Sequence, residues 1–220
     1  MKKIVFIILI ILLIICSLIT IKINQKKFYK NVKLIKNPDN ILVLVNKNNK
    51  LPAIYVPADL VEIPNNMAYN GKKVRKEVLE NFKNLFEDAL KEDYKIVIVS
   101  AYRDYDYQKK LFEGYVHDKG VKYALKCSAK PGHSEHQTGL SIDVMGSNND
   151  YNLFAESKEF EWMKDNAYKY GFILRYPEYK ENITGFKYEP WHYRYVGKDV
   201  AKYIYENKLS LEEYFSEKSN

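Results

Sequence analysis

The stretch PGHSEHQTGLSIDVMG, Pro131–Gly146, carries two of the chain's four histidines, His133 and His136, together with Ser134, Asp143 and three glycines. Asp143 follows His136 by seven residues, with Gly139 between them. A turn at Gly139 would fold the segment so that the imidazole and the carboxylate point at one spot. Alone, the stretch reads as half of a metal site or as a hydrogen-bonded His–Asp pair. The rest of the chain has to supply the other half of a site.

Composition narrows what that site could be. At 220 residues, with 46% hydrophobic and 29% charged residues, the chain has the makeup of one folded domain plus an appendage. A formal charge of +7 permits an anionic partner. The basic residues are spread out, however, and form no stripe interleaved with aromatics, so nucleic acid is excluded as the expected partner. The two cysteines, Cys16 and Cys127, form no CxxC pair, and Cys16 lies in an apolar run away from Cys127. Any metal must therefore be held by His, Asp and Glu.

That apolar run, Ile4–Ile21, holds eighteen residues without a charge after the basic start Met1–Lys3. Its length is at the threshold for a membrane-spanning helix, and no small-x-small cleavage site follows. The expectation is an uncleaved anchor over residues 1–21, with a cleaved signal or a lipidated Cys16 as alternatives. A tether over 22–40 and a domain over 41–220 would follow. Lysines flank the run on both sides, Lys2 and Lys3 before and Lys22, Lys26 and Lys27 after. Their count favours a cytoplasmic body.

Within the domain, Ile41–Val45 (ILVLV) predicts a strand, and Leu51–Val56 a partner for it. Apolar residues at three- and four-residue spacing from Val74 to Ala89 predict an amphipathic helix over 72–90. Lys95–Ser100 predicts a buried strand. Asp104 is placed to cap a helix running to about His117, and another short helix is expected over Gly120–Lys126. Ser157–Tyr170 predicts a helix closed by Gly171, Phe172–Tyr176 a strand, Tyr193–Val196 a strand and Asp199–Asn207 a helix. Ser210 and Glu213 make a capping box for a last helix. Helices and strands mix without βαβ alternation, so the expected class is α+β, with a mainly antiparallel central sheet flanked by helices.

The other half of a metal site is available in Tyr188-Glu189-Pro190-Trp191-His192. A hydrolytic zinc takes three protein ligands and leaves one position open, and His136, Asp143 and His192 would supply the three. Glu189 stands three residues before His192, close enough to exchange a proton with an attacking water without being a ligand. The spacing is not that of HExxH on a helix. Arg103, just past the Lys95–Ser100 strand, is either a surface or ion-paired residue or a two-pronged binder of an anion. His117 is expected to be exposed, and Trp162 and Trp191 to pack the core or wall a cleft.

Three ordered blocks, SAYRDYDYQ, PGHSEHQTGLSIDV and YEPWHYRYVG, resemble the signatures of the VanY-type D-alanyl-D-alanine carboxypeptidases. These are zinc metallopeptidases that share a fold with the Hedgehog signalling domain. The similarity runs over roughly residues 41–215. It implies one zinc ion on His136, Asp143 and His192, Glu189 as general base and then acid, and Arg103 binding substrate and stabilising charge. Ser134 and Gln108 would contact the peptide end, and His133 would stay outside the ligand set. The ligand positions and the base show no departure; Asp104 stands where many relatives carry a serine.

The function implied is removal of the C-terminal D-alanine from peptidoglycan stem peptides. The alternatives are an L,D-carboxypeptidase acting on tetrapeptide stems and a non-catalytic wall-binding module. Because that substrate is extracytoplasmic, the resemblance outweighs the lysine count. The expected location becomes the cell membrane, single-pass, with a monomeric catalytic domain outside.

Overall fold

The computed structural model describes residues 6, 9–12, 28–69, 71–146, 150–151 and 153–219. Its centre is a four-stranded antiparallel sheet in the order β5 (Val97–Ser100), β6 (Ser141–Met145), β8 (His192–Tyr195), β7 (Phe172–Leu174). Two small sheets accompany it. β1 (Lys33–Leu34) pairs in parallel with β2 (Asn49–Lys50), and β3 (Leu60–Glu62) pairs antiparallel with β4 (Lys73–Arg75). The α+β class is as expected.

Successive strand residues face opposite sides of a sheet, and here the two sides differ sharply. Ile142, Val144, Tyr193 and Tyr195 point into the main core. There they meet α1 (Lys76–Lys91), which buries Val78, Leu79, Phe82, Leu85, Phe86 and Ala89. The alternate positions, Ser141, Asp143, His192 and Arg194, are polar and are buried as well. A sheet with two buried faces, one of them polar, has to satisfy those groups internally. That requirement organises the site.

Several predicted elements fall where expected. Asp104 accepts a hydrogen bond from the Tyr107 amide at 2.7 Å and caps α2 (Tyr105–Lys119). α3 (Val121–Cys127) follows. Ser157 caps α4 (Lys158–Asn166), which continues as a 3₁₀ turn to Gly171 in the left-handed conformation. α5 (Glu181–Thr184) precedes β8, after which come α6 (Lys198–Glu206) and α7 (Leu211–Lys218). α7 opens with the Ser210–Glu213 capping box.

Other expectations are corrected. Ile41–Val45 and Leu51–Val56 do not pair as strands. In the first, Val43 and Val45 enter the main core while Leu42 and Leu44 pack against a second cluster around Ile173, Ala201 and Ile204. The apolar alternation is therefore real, but the Ile41 and Val43 carbonyls accept from the Arg194 guanidinium instead of a neighbouring strand. Lys73–Arg75, expected inside the first helix, is strand β4. The tether expected over 22–40 is in contact with the domain from Phe28 onward. The Tyr29 ring packs edge-on against His133 at 5.0 Å, and β1 lies beyond it.

The membrane expectation is also corrected. A spanning helix needs about 20 consecutive apolar residues. Much of the Ile4–Ile21 run lies outside the described residues, and the helical positions given there are only Phe6 and 9–12. Among the described residues no helix is long and apolar enough to cross a membrane. The single-pass placement, and the side of the membrane that depended on it, is therefore not supported.

Gly139 makes the turn between His136 and β6. It sits at φ 66°, and a Cβ there would lie 2.9 Å from Leu60 Cδ2 and 3.0 Å from Arg75 Cγ. Gly139→Ala combines a left-handed backbone penalty with overpacking, for a stability loss of roughly 2–4 kcal/mol. Urea unfolding of the variant against the native chain measures it.

Candidate metal centre

Sheet register assembles the centre. Asp143 on β6 pairs directly with His192 on β8 and also stands opposite Ser100 on β5. Cross-strand partners bring their Cβ atoms to about 4.5–5.5 Å, so the Asp143 and His192 side chains necessarily meet. His136 comes from the 3₁₀ turn Glu135–Thr138, which the Gly139 turn folds over the polar face of the sheet. The donor atoms of His136, Asp143 and His192 all lie within 4.8 Å of one another, and all three residues are buried.

His136 and Asp143 are held in the forms that bind a cation, whereas, against burial, the Asp143 and Glu135 carboxylates raise the His192 imidazole to about 9, so a cation there would displace a proton. His136 Nδ1 lies 2.7 Å from the Ala101 carbonyl, which fixes its proton there and leaves Nε2 buried with no hydrogen-bond partner among the described residues. Burial and the Arg103 guanidinium hold the His136 imidazole down to about 4, in the neutral form that ligates. His136 Nε2 is 3.3 Å from Asp143 Oδ1. Ligands at ~2.0–2.1 Å around a tetrahedral zinc stand roughly 3.3 Å apart. His192 Nδ1 is 2.9 Å from the same oxygen. Burial opposes ionisation of Asp143, but the two histidines hold its carboxyl well below the usual range. Two imidazole nitrogens and a carboxylate, one nitrogen being an orphaned buried atom, fit a zinc ion.

The residues around the triad face one cleft of about 650 Å³, which Arg103, Gln108, Ser134 and Glu189 line together with the three candidate ligands. Glu189 Oε2 lies 3.9 Å from His192 Nδ1. Burial, opposed by His192 and reinforced by Asp143, raises the Glu189 carboxyl to about 7. Arg103 Nη1 donates to Ser100 Oγ at 3.0 Å and stands 3.7 Å from Asp143 Oδ2, while its Nε has no partner among the described residues. The Gln108 amide nitrogen donates to the Ala129 carbonyl at 2.8 Å, and Oε1 is buried and unpartnered among the described residues. Trp191 and Tyr151, edge to face at 5.1 Å, form part of the cleft wall.

His133 is kept apart from the cluster: its Nδ1 lies 2.8 Å from the Asn46 carbonyl. His117 is exposed beside Asp118, and Trp162 belongs to the core.

Sequence reasoning missed the charged layer beneath the triad. Glu135 Oε1 accepts from Arg175 Nε and from Arg194 Nη1, both at 2.8 Å, and all three side chains are fully buried. Arg175 then forks onto Glu212 of α7 through two bonds of 2.8 Å. Glu135 Oε2 lies 3.6 Å from His192 Nε2. The available signal was the alternation in SIDVM and HYRY, which places Arg194 on the same face as His192 and Asp143.

A His/Asp/His donor set beside a buried carboxylate and an arginine, open to a cleft, is the arrangement that metal-dependent peptidases use. Comparison with known proteins agrees. The family described as VanY, D-alanyl-D-alanine carboxypeptidase, matches residues 71–198. The chain belongs to this carboxypeptidase family, and it is a peptidase.

Its relatives include YodJ of Bacillus subtilis (strain 168), provisionally named a carboxypeptidase, at 47% identity over 87% of this chain and 73% of YodJ. Another is the bifunctional D-Ala-D-Ala dipeptidase and carboxypeptidase VanXYC of Enterococcus gallinarum, at 38% identity over 80% of this chain and 93% of VanXYC. Among solved structures, the LD-carboxypeptidase LdcB superposes with a TM-score of 0.79 at 47% identity, covering 85% of this chain and 91% of LdcB. A vancomycin-resistance D,D-pentapeptidase VanY in complex with Zn(II) gives 0.69 at 34% identity, covering 79% and 98%.

Proposed function

We propose that the protein is a zinc-dependent carboxypeptidase that releases the C-terminal D-alanine from peptidoglycan stem peptides. The observation carrying this reading is the joint placement of His136, Asp143, His192, Glu189, Arg103, Ser134 and Gln108 around one cleft. His136, Asp143 and His192 would hold one zinc ion. When bound, zinc supplies a Lewis acid that polarises the scissile carbonyl and lowers the pKa of water.

This chain's own residues do the rest. Arg103, whose Nε is buried and free, holds the terminal carboxylate of the peptide and balances developing negative charge. Ser134 contacts the peptide end. Gln108 does so through its free Oε1, which accepts an N–H. Glu189, raised to about 7 by burial, takes the proton of the attacking water and returns it to the departing amine. The four positions of the triad and base are all present, which argues against a wall-binding module without turnover.

The D,D and L,D readings share this chemistry and differ in the residue before the scissile bond. One observation favours the second: the LD-carboxypeptidase LdcB is more similar to this chain than the D,D-pentapeptidase in both identity and superposition. Purified protein incubated with pentapeptide and tetrapeptide stems, with products weighed by mass spectrometry and zinc measured on the same sample, separates them. Loss of one alanine from the pentapeptide supports D,D cleavage, and loss from the tetrapeptide alone supports L,D. Chelation should abolish either activity and added zinc should restore it. Turnover of both peptides unaffected by chelation would refute the metal-dependent reading.

A further inference from the structure

His192 presents its two nitrogens to different carboxylates. Nδ1 faces the cluster, 2.9 Å from Asp143 Oδ1 and 3.9 Å from Glu189 Oε2. Nε2 points the other way, buried, with no hydrogen-bond partner among the described residues and Glu135 Oε2 at 3.6 Å, just beyond bonding distance. A neutral imidazole carries one proton. With the proton on Nδ1, that atom would have no lone pair for a cation, and the Nε2 lone pair would face a buried carboxylate. With the proton on Nε2, it meets Glu135 and the Nδ1 lone pair turns to the cluster.

Glu135 is not free to move away. Its Oε1 is taken by Arg175 and Arg194 at 2.8 Å each. Among the described residues its Oε2 accepts a hydrogen bond only from the Ser141 hydroxyl, at 3.3 Å, so this is the atom left for His192. Arg175 is clamped in turn by both oxygens of Glu212, in the first turn of α7. Two guanidinium groups balance two carboxylates, Glu135 fully buried and Glu212 partly exposed, which is how a charge layer persists in a low-dielectric interior.

We infer that Glu135 is a positioning residue: it holds the His192 proton on Nε2 so that Nδ1 is the metal ligand, and Arg175 and Glu212 of α7 lock Glu135 in place. The last helix of the chain thus supports the metal centre from behind. This inference rests on the zinc reading above. A carboxylate behind a ligating histidine fixes its tautomer and raises its basicity, and losing such a group costs about 10–100-fold in metal affinity.

The test uses the full chain loaded with zinc and ¹⁵N-labelled at histidine. Long-range ¹H–¹⁵N spectra should show His192 protonated at Nε2 and metal-bound at Nδ1. The reverse tautomer overturns the inference whether or not any variant folds. In competition with a chelator, E135Q should bind zinc about 10–100-fold more weakly and E212Q should show a smaller loss, with circular dichroism establishing folding. A folded E135Q with native zinc affinity sinks this inference and leaves the zinc reading standing. A native chain that takes up no zinc removes both.

Discussion

Glu189→Gln is expected to lower kcat by about 10²–10⁴-fold while the zinc content stays that of the native protein. The substitution keeps shape and hydrogen-bonding capacity but removes the basicity. Glu189 is held by its backbone, its amide donating to the Tyr176 carbonyl and its carbonyl accepting from the His192 amide, both at 3.1 Å. Its side chain faces the cleft next to the triad without belonging to the ligand set. A base that acts on water beside a metal should therefore be separable from metal binding. Loss of zinc together with activity would instead make Glu189 part of the metal's support, and retained turnover would remove it from the mechanism.

The same residue sets the expected pH dependence. Burial, the largest influence, raises the Glu189 carboxyl to about 7, and a cation bound at the triad would bring it down again. The base works deprotonated, so activity is present above its pKa and is lost as pH falls through it. The acid limb of kcat/KM should lie at or below about pH 7, and the residual activity of E189Q should lack it.

The outline of the site was legible in sequence because its parts lie in short local patterns. His136, Gly139 and Asp143 are bound together by one turn, and Glu189 and His192 by another. What was not legible is how the polar face of the sheet is covered. In SIDVM and HYRY a polar residue at every second position ordinarily means that one face meets water. Here the alternate residues Ser141, Asp143, His192 and Arg194 are all buried, because Glu135, Arg175 and the Ile41–Val43 segment pack over that face. That cover draws on residues more than 150 positions apart, and no local window contains it.

The misread strand at Ile41–Val45 has the same origin, since periodicity reports where side chains go and not what the backbone bonds to. Alternate residues there do part between two apolar clusters. The carbonyls, however, end on a guanidinium instead of a ladder. In the apolar N-terminal run, hydropathy counted consecutive residues, whereas a spanning assignment needs a continuous helix, and none is found among the described residues.

Arg194→Met should destabilise the fold by about 3–5 kcal/mol, the cost of breaking a buried ion pair by removing one partner. Arg194 has no exposure, and all three of its nitrogens are committed: Nε to the Tyr195 carbonyl, Nη1 to Glu135, and Nη2 to the carbonyls of Ile41 and Val43. Methionine fills part of the volume but leaves these carbonyls dry and unpaired and Glu135 with one guanidinium instead of two. With an m-value of about 1–3 kcal/mol per molar, the urea midpoint should fall by on the order of 1–5 M. Adding Glu135→Gln removes the charge that Arg194 had balanced, so the double variant should lose less than the sum of the two single losses. Strict additivity would mean that Arg194 serves the Ile41–Val43 carbonyls alone and that the charge layer behind His192 is not one coupled unit.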